Sequence, residues 1–153
     1  MLITNHVLTG AVIGLAVPPR RCVTATTLGL ASHFALDAVP HWGADQDKRL
    51  FLRVAVVDGL CGLAAVGLVA RVVPSSRRAS VIAAMLGSCL PDADKPAQLF
   101  FGRSPFPPAI DEFHARIQDE SPDRLRNEIA VAGRLGAAVA LVVGALRLAR
   151  RCR

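Results

Sequence analysis

The run "VAVVDGLCGLAAVGLVA", residues 54–70, contains one formal charge, Asp58, and no proline. With its flanks it approaches the roughly 20 apolar residues that a helix needs to cross a hydrocarbon core. Its glycines and alanines are the small residues that let membrane helices approach one another closely. Two further blocks repeat the pattern: residues 129–146 carry only Arg134 as a charge, and residues 22–36 carry none. A helix on the surface of a soluble domain would show a polar face instead. The blocks therefore predict an all-α protein, an integral membrane helical bundle of about five hydrophobic helices. The competing arrangement is a soluble bundle whose central helices are buried all round. It is disfavoured because the blocks outnumber what a core of this size can hide.

Composition supports that class. The chain has 153 residues, is 52% hydrophobic and has a mean hydropathy of +0.41, values that suit a single membrane-embedded domain over residues 1–153. No basic residue precedes the first apolar run, "MLITNHVLTGAVIGLAV", which argues against a cleaved secretory signal. The net charge of +6 does not point to nucleic acid, because only 5% of the chain is aromatic and the basic residues do not interleave with those aromatics. They gather at the ends of apolar blocks: Arg20 and Arg21, Arg71 with Arg77 and Arg78, and a tail of Arg147, Arg150, Arg151 and Arg153. That placement suits anchors at a membrane face, with membrane lipid as the surrounding partner. Cys22, Cys61, Cys89 and Cys152 stand singly, without the paired spacing of a zinc knuckle or redox motif.

Prolines divide the chain. A first helix is expected over residues 5–17, stopped by Pro18 and Pro19, and a second over 23–39, stopped by Pro40. A third should cover 50–73 and a fourth 79–90, ending in "PDADKP", a turn-forming cluster expected to stop the helix. The first and fourth are short for a full crossing. Residues 97–121 read as a Pro-rich loop followed by a short amphipathic helix. Ile110, Phe113, His114 and Ile117 share a face of that helix, which should lie on the membrane surface or over the mouth of the bundle. Ser121 and Pro122 read as the N-cap and first turn of a long last helix.

The titratable groups fall at particular helix ends. His6 opens the first helix, His33, Asp37 and His41 close the second, Asp58 lies early in the third, and Asp92 and Asp94 close the fourth. If the helices alternate in direction, all of them reach one side and the Arg-only clusters reach the other. Short Arg-dense loops belong in the cytoplasm, so the His/Asp side of an inner-membrane protein should be extracytoplasmic. His33 and Asp37, one turn apart, project from one helix face. Ionisable groups inside a membrane are costly unless paired or functional, and imidazole with carboxylate suits zinc and related divalent ions. Singly, each has a plain structural reading: a hydrogen bond for the His33–Asp37 pair, an interfacial belt for His41 with Trp42, a pair with Arg53 for Asp58. His114, one turn before Gln118, reads as a lid or surface contact rather than a ligand.

Four pieces, "NHVLTGAVIGL", "SHFALDAVPHW", Asp58 in its apolar helix, and "GSCLPDADK" with its Leu-Pro-Asp-x-Asp turn, resemble the YdjM-like family of membrane-bound metal-dependent hydrolases. That family is more remotely similar to the all-helical zinc-dependent phospholipase C and P1 nuclease group. The resemblance implies His6, His33, Asp37, Asp92 and Asp94 as metal ligands, with Asp58 among the candidates. The expected activity is hydrolysis of an ester or phosphoester, with a lipid as candidate substrate, by a divalent metal, zinc or manganese. Asp58 and His41 are then candidates for base or orienting roles, and Arg53 for stabilising an anionic substrate. The alternative class is a non-catalytic membrane protein in which the His/Asp cluster binds a structural metal or ties helices by hydrogen bonds. A transporter ranks behind both, since its polar groups should run through the whole membrane depth.

Overall fold

The computed structural model describes residues 1–43 and 47–151. Among them are seven α-helices: α1 (Ile3–Ala16), α2 (Cys22–Asp37), α3 (Lys48–Val72), α4 (Ser75–Cys89), α5 (Asp94–Phe101), α6 (Pro108–Ile117) and α7 (Leu125–Arg151). Prolines set most of the boundaries, as the sequence predicts: Pro18 and Pro19 follow α1, Pro40 follows α2 and Pro74 separates α3 from α4. At the start of α3 the Asp47 carboxylate accepts hydrogen bonds from the backbone N–H groups of Arg49 and Leu50, at 2.9 and 3.2 Å. Helix α1 has no such cap of its own. Its free N–H groups are met from other helices: Asp58 of α3 accepts from Ile3 and Thr4, and Glu128 of α7 accepts from Leu2.

Those bonds also fix direction. The start of α1 meets Asp58 and Glu128, while its end meets Arg77, whose guanidinium donates to the carbonyls of Leu15 and Val17. Arg147, late in α7, donates to the carbonyl of Val72 at the end of α3. Helices α1, α3 and α7 therefore run one way. Helix α4 runs back, since Ser88 near its end bonds the carbonyl of His6 and Val81 near its start packs on Gly14. Helix α2 runs with α4, its His33 lying against Ser88. The backbones of these three short helices come close: a Cβ at Gly87 would lie 2.5 Å from the carbonyl oxygen of Thr26, and one at Gly10 would lie 2.5 Å from Ser88 Oγ. The apolar core, including Val7, Leu15, Val69, Met85, Val139 and Val143, lies where α1 and α4 meet α3 and α7.

The all-helical class expected from the sequence is found, and of its hydrophobic helices two are candidate membrane spans. Among the described residues, only Lys48–Val72 and Pro122–Ala149 are long and apolar enough to cross a membrane. Helices α1, α2 and α4 have 14, 16 and 15 residues. At 1.5 Å per residue they are about 21–24 Å long, short of the ~30 Å hydrocarbon core. The prolines that end them are the reason.

Three local expectations also change. The cluster "PDADKP" follows the end of α4 at Cys89, as expected, but Pro91–Ala93 forms a 3-10 turn that runs directly into a further helix, α5. Pro96 is accommodated there because it lies in the first turn, where no intrahelical partner is lost. Ser121 makes no side-chain cap, and Pro122–Arg124 is a 3-10 turn ahead of α7. His41–Trp42 (β1) and Glu120–Ser121 (β2) form a short parallel pair, with His41 opposite Glu120, which ties the exit of α2 to the exit of α6.

Candidate metal centre

The alternation of helix direction brings the start of α1, the end of α2 and the turn after α4 to one end of the bundle. Four side chains there, His33, Asp37, Asp92 and His114, each offer a ligand atom within 4.8 Å of the other three. Three of those atoms form a tight triangle. His33 Nε2 lies 3.1 Å from Asp37 Oδ2, His114 Nε2 lies 2.9 Å from the same oxygen, and the two ring nitrogens are 3.0 Å apart. Asp92 Oδ1 stands 4.0 Å from His114 Nε2. Donors placed tetrahedrally around zinc at about 2.0–2.1 Å are about 3.3 Å from one another, so the triangle is close to the right size.

His33 is oriented for the task. Its Nδ1 lies 2.9 Å from the Ser88 carbonyl oxygen, which can only accept, so Nδ1 carries the proton and Nε2 presents a lone pair to the cluster. Ser88 is fixed in turn by its hydroxyl, which donates to the His6 carbonyl at 2.7 Å. His114 arrives on α6, seated by Phe113, whose ring meets Phe34 of α2 edge-on at 5.3 Å.

Asp37 divides its two oxygens. While Oδ2 faces His33 and His114, Oδ1 lies 3.2 Å from His6 Nε2 and 3.4 Å from the Met1 α-amino group. His6 stacks on His33 with ring centroids 4.1 Å apart, and its Nε2 is 3.9 Å from Asp92 Oδ2. His6 is fully buried, yet neither of its ring nitrogens makes an aligned hydrogen bond among the described residues. A buried, unsatisfied imidazole against two carboxylates fits a cation better than it fits an apolar core.

Electrostatics favour the ligand forms. Burial alone would raise the Asp37 carboxyl, but the imidazoles of His114, His33 and His6 set against it, with the Met1 α-amino group, outweigh it and hold the group well below the usual carboxylate range. Burial likewise opposes ionisation of Asp92, and the Lys95 ammonium, with His6 and His33, more than reverses it. Lys95 Nζ lies 2.8 Å from Asp92 Oδ1 and keeps its proton more tightly than an ordinary lysine; burial works against this and the Asp92 charge overcomes it. Burial pushes His6 down, towards the neutral imidazole that a metal requires.

The sequence-predicted residues divide accordingly. The structure brings His6, His33, Asp37 and Asp92 together. His41 is buried but turned elsewhere: its Nδ1 donates to the Val39 carbonyl at 2.8 Å, and its Nε2 lies 4.0 Å from Glu120. Asp94 is largely buried beside the cluster but outside the four-residue group, with one oxygen unpartnered among the described residues, and burial raises its carboxyl. Asp58 binds the start of α1 through both oxygens, and Arg53 is exposed on α3.

His114, read from sequence as a lid or surface contact, is instead a member of the group. Its neighbour Gln118 was also overlooked as a site residue. With the Gln118 amide turned so that its NH2 donates to Glu120 Oε1 at 3.0 Å, its carbonyl faces His114 Nε2 at 3.0 Å and Lys95 Nζ at 3.3 Å. The signal for both was the His-x-x-x-Gln spacing, one helical turn, on the amphipathic helix. Beside the cluster lies a cavity of about 980 Å³, reached by Asp92 and Lys95 and walled by apolar residues of α3 and α5. Comparison with protein-family models, with curated proteins and with solved structures finds no match for this chain.

Proposed function

We propose that the protein is a membrane-bound, metal-dependent hydrolase of an ester or phosphoester, with a divalent ion, zinc by donor type or else manganese, held by His33, Asp37, Asp92 and His114. The observation that carries this reading is the convergence of those four ligand atoms within 4.8 Å at the edge of a large cavity. Two imidazoles and two carboxylates match the ligand preference of zinc. The likeness of "SHFALDAVPHW" and "GSCLPDADK" to the YdjM-like family supports the same chemistry. When bound, such an ion polarises the scissile ester or phosphoryl oxygen and lowers the pKa of a coordinated water towards about 7.

The chain's own residues prepare the site. Ser88 locks the His33 tautomer, Asp37 stays ionised, and α6 brings His114 against Asp37. Lys95 offers a positive charge at the rim, where an anionic substrate would arrive. Membrane residence is supported by α3 and α7, whose apolar side chains are largely exposed. The Arg-rich ends of these helices then favour the cytoplasm and the His/Asp end the opposite face.

One observation favours a structural cluster instead: the 2.9 Å contact from His114 to Asp37 already joins α6 to α2. Elemental analysis of the detergent-purified protein separates the two. One or more zinc or manganese ions per chain, lost in Asp37→Ala and His114→Ala variants that keep their helical circular dichroism, supports the metal centre. A chelator-sensitive turnover of a chromogenic phosphodiester would then establish hydrolysis. No bound metal after reconstitution leaves the hydrogen-bonded cluster.

A further inference from the structure

We propose that the cavity beside the cluster is an acyl-chain subsite and that the substrate is a membrane phospholipid, its chain lying between α3 and α5 and its phosphoester at Asp92 and Lys95. On α3 the lining residues are Lys48, Phe51, Leu52, Ala55, Val56, Asp58 and Gly59, spaced to lie along one side of the helix. That face runs for about 16 Å along the helix axis. Leu99 and Phe100 of α5 form part of the facing wall, 64% and 75% exposed, and Leu2 and Trp42 add to the lining.

The volume, about 980 Å³, is at the upper end of small-molecule sites. The walls decide the occupant. Leu52 and Val56 line the cavity and are also 45% and 61% exposed, so the groove opens sideways onto the surface of a candidate membrane span. A chain already dissolved in the bilayer reaches such a groove without leaving hydrocarbon, whereas a water-soluble substrate finds few polar partners along it. Charge is confined to particular places. Asp58 is occupied by the N–H groups of Ile3 and Thr4, so a headgroup meets Lys48, Glu120 and the Lys95–Asp92 ion pair. Lys95 and Lys48 are the complement to a phosphodiester. The proposal rests on the hydrolase reading only for what happens at the polar end; the chain subsite stands on the groove.

Trp42 is the single tryptophan and lines this cavity, stacked on Phe51 with ring centroids 5.6 Å apart, so it reports directly on occupancy. The test uses phosphatidylglycerol brominated in its acyl chains, titrated at low mole fraction into the full-length protein in detergent micelles, with Trp42 fluorescence as the readout. Two variants block the groove. Gly59→Leu introduces a side chain where a Cβ meets nothing within 4 Å, and Ala55→Leu narrows the same face one turn earlier. Saturable quenching, with apparent affinity weakened at least about fivefold in both variants, is the expected result. Quenching that rises linearly with mole fraction, equally in wild type and variants, means ordinary contact with surrounding lipid and overturns the proposal. The same titration on the His114→Ala protein separates the two readings. Saturable quenching in that variant retains the lipid site while the metal centre is judged by its own elemental analysis, and metal-loaded wild type without saturable quenching removes the lipid site alone.

Discussion

At the residue scale, the imidazole of His6 is the most exacting group in the site. It is buried to 0% exposure, pressed on the His33 ring and set between Asp37 and Asp92, and burial makes it a weaker base than a free histidine. Because its folded-state pKa lies below the unfolded value of about 6.5, its contribution to stability is present above that value and is lost as the pH falls through it. Asp37 adds a second loss in the same direction at lower pH, since its depressed carboxyl stabilises the fold above about pH 4 and ceases to do so below. The metal-free protein should therefore melt at a lower temperature at pH 5.5 than at pH 7.5. A His6→Gln variant, whose amide does not titrate, should flatten that slope; thermal melts of both across pH decide it, and equal slopes would remove His6 from the account. The positions of His33 and Asp37 were legible because each sits in an apolar run beside a helix end, and that of Asp92 because its polar turn closes an apolar helix. His114 was not, because on an amphipathic helix a polar residue has an ordinary place facing water, and only the packing of Phe113 on Phe34 turns it inward.

At the element scale, α1 is held by neighbours rather than by its own sequence. Leu2 supplies no side-chain cap, and Asp58 and Glu128, from two other helices, accept its leading N–H groups. Asn5 reinforces the second of these, donating to Glu128 Oε2 at 2.9 Å. This interhelical capping places His6, three residues into the helix, at the depth of Asp37. Asp58→Ala should cost about 1–3 kcal/mol, the value of a charge-assisted bond to an exposed helix end, and should leave metal content per folded chain unchanged. Chemical denaturation alongside elemental analysis measures both, and an unchanged midpoint with loss of metal would make Asp58 a ligand instead. The element boundaries at Pro18, Pro40 and Pro74 could be read from the sequence, because proline removes a donor wherever it stands. Helix α5 could not, because Pro96 is harmless in a first turn and "PDADKP" carries the same residues as a stop. The pairing of His41–Trp42 with Glu120–Ser121 joins segments too distant in the chain for any local pattern to announce.

At the scale of the whole molecule, three short helices of 14–16 residues form the inner cluster, and the two longer ones, α3 and α7, flank it. The alternation of direction that the sequence reading took as its condition holds for α1 to α4 and collects the His/Asp groups at one end and Arg77 and Arg147 at the other. The number of spans was not legible, because hydropathy reports what a helix can be dissolved in while length decides what it can cross. Along α3, Val56, Val57, Leu60, Leu63 and Leu68 are each more than 60% exposed, on a helix long and apolar enough to cross a membrane. Such a surface is stable if hydrocarbon covers it. Leu63, 71% exposed and well inside the helix, is the position at which the two environments make opposite demands. In lipid, Leu63→Asp places a carboxylate near mid-span at about 3 kcal/mol, so the share of protein that resists alkaline carbonate extraction should fall several-fold. In water the same change replaces an exposed apolar group with a charge and should raise the soluble yield. Loss from the membrane fraction without gain in soluble, folded protein is the outcome expected of a helix that crosses, and a well-folded soluble variant would place α3 at an aqueous surface.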